Sequence, residues 1–168
     1  MRTQRAFGVL LRCFAKAQKV GFRVVHYSVQ ATHLHLICEA EGRQALSRGM
    51  QGLLIRVTKG LNKLWGSSGS LWRERYHEHV MKSPREVRNG LCYVLNNLWR
   101  HLRRVGAEVH GVIDGFASGA FFDGWCRAPR LVGPVGIDPP VRGPSTWLLS
   151  QGWRRHGLIR VDEVPRGL

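Results

Sequence analysis

The sequence predicts an α+β fold, on three observations. Residues 3–20 and 43–65 repeat apolar side chains at the helical period of 3.6. Between them, residues 22–40 are rich in β-branched and aromatic side chains and carry no helical stripe. A third helical stretch, 83–104, opens on a strong start signal and follows another strand-like run at 71–81. A chain of 168 residues with an ordinary apolar share builds one domain with room for an appendage.

Taken in order, Phe7, Leu10, Leu11, Phe14 and Ala17 form the apolar stripe of the first helix. Arg5, Arg12, Lys16 and Lys19 lie opposite, and Gly21 fits a helix stop. Residues 22–30 and 31–40 read as two strands in direct succession, hence an antiparallel hairpin. The longest helix, 43–65, buries Met50, Leu53, Val57, Leu61 and Leu64. Its far side carries Arg48, Arg56, Lys59 and Lys63, a stripe of one sign without acidic partners. Such a stripe is either a solvated face or a phosphate-binding one. Residues 71–81 read as a strand with Trp72, Tyr76 and Val80 on one side and Arg73, Arg75, His77 and His79 on the other. Ser83, Pro84 and Glu86 then supply a cap, a first-turn proline and a capping box for the last long helix. Beyond residue 106 the character changes. Six of the seven prolines lie past residue 128, 128–144 reads as an irregular linker, and Ser145 can cap a short helix over 146–155. The expected organisation is therefore a domain over 1–106 and a Pro/Gly-rich tail over 107–168, whose apolar patches FFDGW and TWLL must dock on something.

Charge narrows the partner. Residues 1–104 carry 19 Lys/Arg against 5 Asp/Glu, and residues 105–168 carry 7 against 6. So lopsided a distribution points to a polyanion, and nucleic acid is the default. The four cysteines are scattered without a CxxC pair, which argues against a zinc ribbon or a disulfide framework. No apolar run is long enough to span a bilayer and no signal peptide is recognisable, so a cytoplasmic protein away from membranes is expected.

Three groups of residues carry candidate chemistry. His33 and His35 share one face of their strand, where two neutral imidazoles can bind one cation, or simply face solvent. His77 and His79 repeat the pattern beside Arg73 and Arg75, whose charge opposes a cation, so a nucleic-acid-facing or solvated role suits them better. Tyr93 and Asn97, four apart, share one helix face that Arg100 and Arg104 continue. Tyr93 is either an aromatic at the edge of the core or a reactive phenol.

The order His-Leu-His, then LWRERYHEHV, then Tyr-x-x-x-Asn, over about residues 5–104 of a basic chain, resembles the HUH single-tyrosine transposases, and among them the REP-associated tyrosine transposase branch. The resemblance implies a ferredoxin-like fold: a central antiparallel sheet with helices on one face. Family members begin with a strand before the first helix. This chain starts almost in that helix, so the first strand is expected to be missing. The resemblance further implies that His33 and His35 bind Mg²⁺ or Mn²⁺ with Asn97 as third ligand, and that Tyr93 is the nucleophile. The implied reaction is attack on a phosphodiester of single-stranded or hairpin DNA, leaving a 5′-phosphotyrosine and a free 3′-hydroxyl. The DNA contacts would come from Arg48, Arg56, Lys59, Lys63, Arg73, Arg75, Arg100 and Arg104, in a monomer or a homodimer. The alternative is a catalytically inactive or repurposed binder of DNA or RNA hairpins. Thr32 and Leu98 stand where the family often has Asn and Pro.

Overall fold

The computed structural model describes residues 1–98, 111–134 and 139–163. It is an α+β arrangement built on a two-stranded antiparallel hairpin. Helix α1 (Gln4–Ala17) is capped by Thr3, whose hydroxyl accepts from the Ala6 N–H. It ends earlier than Gly21, which instead takes a left-handed φ of 76° in the turn into strand β1 (Phe22–Val29). A two-residue turn, closed by the Gln30 N–H on the His33 carbonyl at 2.9 Å, leads into β2 (Leu34–Ala40). Helix α2 (Gly42–Trp65) stops at Gly66, in the left-handed conformation with φ 65°.

The hairpin is buried on both faces, each by a different set of elements. On one face α1 and α2 bring Phe7, Leu10, Phe14, Leu53, Val57 and Leu61 against Val24, Tyr27 and Val29. Gly60 lets the two helices approach closely, since a Cβ there would stand 2.6 Å from Val9. On the other face, Val25 and Ile37 meet helix α3 (Pro84–Leu95) through Val87, Leu91 and Leu95. A register shift between Val24 and His26 lets Val24 and Tyr27, three apart, reach the same core.

Two expectations change. Residues 71–82 form no strand. Glu74 and Glu78 fall on the same side as Trp72, Tyr76 and Val80, so the run lacks the strict alternation a half-buried strand needs. Side chains anchor it instead: the Trp72 indole N–H donates to Thr58 Oγ1 at 2.9 Å, and Trp72 and Tyr76 pack on the α1–α2 core. The last long helix also breaks, at Asn96, whose backbone (φ −101°, ψ 17°) ends α3; the remainder of the predicted span, 99–104, lies outside the described residues.

The tail docks where its apolar patches require. Strand β3 (Val112–Asp114) pairs in parallel with β4 (Arg130–Val132), and Ala117 bridges to Ser28 on the free edge of β1. Phe122, Leu149, Trp153 and Ile159 complete the α3 core. The short helix near 146–155 is a turn of α-helix, α4 (Trp147–Ser150), followed by a 3-10 turn, Gly152–His156. Its cap is Thr146 rather than Ser145. Ser145 is taken up by Glu39, which accepts from the backbone N–H and the hydroxyl of both Ser145 and Thr146 at 2.6–2.8 Å.

Candidate active site

The site lies at the turn end of the hairpin, on the α3 side. Alternation along β2 sends Leu34, Leu36 and Cys38 to the α1–α2 core and His35, Ile37 and Glu39 to the opposite face. His33, just before the strand, continues that face. The two imidazoles meet edge to face, with ring centroids 4.8 Å apart and Nε2 atoms 3.1 Å apart. Behind them the Thr32 hydroxyl lies 3.3 Å from His33 Nδ1, a hydrogen bond that leaves Nε2 turned towards His35. Tyr93, on α3, sets its ring edge to face against His35 with centroids 5.0 Å apart. Tyr93 is partly exposed.

The separation of the two nitrogens tests whether a cation fits. Ligands at right angles around an octahedral ion with bonds of about 2.1 Å stand about 3.0 Å apart. The 3.1 Å pair matches that bite, although at the same distance one ring's N–H can also reach the other's lone pair. The donor set fits in part. Imidazole nitrogens suit borderline transition ions better than Mg²⁺, which prefers oxygen. Among the described residues no group of three or more His, Cys, Asp or Glu side chains gathers at one point. The remaining positions of an ion would fall to water and substrate oxygens.

Asn97 differs from its expected setting. Asn96 interrupts the helix between it and Tyr93, so the two do not ride on one continuous element. The cause is the tail: Asn96 Nδ2 donates to the Arg160 and Glu163 carbonyls at 2.8 and 3.1 Å, fixing a turn. Asn97 is only 3% exposed, and its Nδ2 has no hydrogen-bond partner. A buried amide left half-satisfied is costly, and such groups are found where function retains them.

The basic residues form one face around α1 and α2. Arg48, Lys59 and Lys63 are exposed on α2, while Arg56 is half-buried with a guanidinium N–H on the Gly52 carbonyl. Burial raises the Cys13 thiol, and the charges of Arg12, Arg56 and Lys16 pull the other way. Arg73 and Arg75 are exposed on the irregular 71–82 segment. His77 and His79 there share no strand face, and His77 lies 3.6 Å from Glu74. Arg100 and Arg104 lie outside the described residues. Thr32 and the tryptophans Trp65 and Trp72 near it were not singled out from the sequence as one cluster; the signal for them is spatial.

The class these features define is an α+β domain with paired histidines, an adjacent tyrosine and a basic helical face. Comparison with family models, curated proteins and solved structures finds no match. No helix among the described residues is long and apolar enough to cross a membrane.

Proposed function

We propose that the protein cleaves and rejoins single-stranded DNA, with Tyr93 as nucleophile and His33 and His35 as ligands of a divalent cation. The observation that carries this reading is the cluster itself: two imidazole nitrogens 3.1 Å apart and a partly exposed tyrosine whose ring centroid lies 5.0 Å from that of His35. A phenol ionises near pH 10 and is a weak nucleophile at neutrality, so it needs an electrophile made more reactive. A divalent cation held by His33 and His35 would supply that by drawing charge from the phosphate oxygens. The two imidazoles, being neutral, would leave it its full charge. The Tyr93 oxygen attacks phosphorus, the P–O3′ bond breaks, and the strand leaves with a 3′-hydroxyl while its other end stays on the tyrosine. Arg48, Lys59 and Lys63 offer charge to hold the strand, and the energy of the broken phosphodiester is conserved in the new one, so rejoining needs no nucleotide triphosphate.

The test is a covalent protein–DNA adduct on labelled hairpin oligonucleotides with Mn²⁺ or Mg²⁺. Tyr93→Phe keeps the ring and its contact with His35, so fold and DNA affinity stay near wild type while the adduct disappears. His35→Ala also loses the adduct, with partial recovery at high Mn²⁺; no metal ion restores it in the phenylalanine variant. Mn²⁺ should outperform Mg²⁺, following the imidazole donors. Absence of an adduct on every hairpin tried favours the inactive hairpin binder, a reading that the burial of Asn97 supports.

A further inference from the structure

Between the hairpin turn and the end of α2 lies an open cleft of about 510 Å³ that the chemistry above does not use. Its walls include Ala31, Thr32, Leu61, Trp65, Trp72 and Arg73. That volume is within the roughly 300–1,000 Å³ of clefts that take small-molecule ligands. Thr32 lines the cleft at the hairpin turn, and its hydroxyl bonds to the His33 ring on the other side.

Its lining selects among ligands. Trp65 is 48% exposed, unusual for the last residue of a helix whose apolar face is otherwise covered. Trp72 is fixed from behind by its indole N–H on Thr58, which leaves ring surface for the cleft. A cation flanks the aromatic walls: Arg73, exposed in the lining. Glu74, also in the lining, repels a phosphate but accepts from an exocyclic amine. Aromatic walls, a flanking positive charge and one acceptor suit an unstacked nucleobase whose phosphates lie outside.

We propose that this cleft is a nucleobase site, taking one unstacked base of a single-stranded DNA. That the strand is DNA rests on the reading of the preceding section; base capture does not.

The experiment therefore measures binding alone, in EDTA, by fluorescence anisotropy of labelled 12-mers. A cytosine 12-mer is compared with an abasic 12-mer of equal charge. Wild type should prefer the cytosine strand by roughly 5- to 150-fold, the worth of one base–aromatic stack. Trp65→Ala should erase that preference and leave abasic affinity and its salt dependence unchanged, while Trp65→Phe retains most of the preference. The phenylalanine variant also guards against misfolding in the alanine one, with far-UV circular dichroism as the check. Equal affinity of wild type for both strands, no affinity for either, or a preference that survives in folded Trp65→Ala would overturn the proposal. A preference with no covalent adduct under Mn²⁺ would leave the base site standing and remove the catalytic reading.

Discussion

His26 shows what a single residue can cost and control. It lies 7% exposed on β1, with Nδ1 3.2 Å from Ser118 Oγ and the ring edge to face with Phe122. Burial pushes its pKa from 6.5 down to about 4, with Asp123 pulling weakly upward. The folded state thus accepts only the neutral ring. Its contribution is complete above pH 6.5 and is lost as pH falls towards 4, a change of about 3 kcal/mol when complete. Glu39 and Glu163 are held below the usual carboxylate range by their hydrogen bonds, so their contributions fade only below pH 4.5. Urea midpoints between pH 7 and 5 should therefore decline in wild type and decline much less in His26→Gln; parallel curves for the two would show that another group titrates. Neither this burial nor the Ser145–Glu39 contact was legible in the sequence, because both partners lie about a hundred residues away. The pairing of His33 with His35 was legible, being a consequence of strand alternation alone, and Tyr93 came with the motif order. The break at Asn96 was not, since it depends on carbonyls of Arg160 and Glu163.

At the scale of elements, local signals worked where they were complete. The Ser83–Glu86 box marks a helix start that the structure keeps, because capping is settled within a few residues. The 71–82 run misled because its aromatic content resembles a strand while its spacing does not. The same scale decides how DNA would be held. Arg56, Lys59 and Lys63 lie along α2, and Gly60 brings α2 close enough to α1 for Arg12 and Lys16 to join them. Each phosphate contact to a single strand contributes about 0.7 to the slope of log affinity against log salt. Replacing Arg56, Lys59 and Lys63 by Gln should flatten that slope by up to about 2 units, read from anisotropy between 50 and 300 mM salt as order-of-magnitude bounds. An unaltered slope would mark the stripe as a solvated face. The half-buried Arg56 should contribute least, because its guanidinium is already engaged by Gly52.

For the whole molecule, the question is whether the tail is an appendage or part of the fold. The net charge divides sharply near residue 104, and composition alone suggests a boundary there. Packing crosses it. Trp153 is 1% exposed and shares a core with Val25, Ile37, Leu91 and Leu95, and its indole N–H is satisfied by the Leu149 carbonyl at 3.1 Å. Three polar clamps tie the same segments together: Arg2 forks onto buried Asp114 at 2.6 and 2.8 Å, Arg88 onto Glu163 at 2.6 and 2.8 Å, and Glu39 receives Ser145 and Thr146. A chain cut to residues 1–106 would keep α3 on Val25 and Ile37 but uncover the apolar surface of α3, the element that carries Tyr93, on which Phe122, Leu149, Trp153 and Ile159 pack. Two strands and three helices with only one covered core are not expected to unfold cooperatively. The fragment should give a broad denaturant transition and poorly dispersed amide resonances. In the full chain, Trp153→Ala should cost about 3–5 kcal/mol, the usual range for removing a fully buried aromatic ring. It should also loosen Tyr93 against His35, lowering adduct yield at temperatures where the chain is still folded. A 1–106 fragment with a sharp transition at the wild-type midpoint would show instead that the basic domain is self-sufficient and the tail merely rests on it.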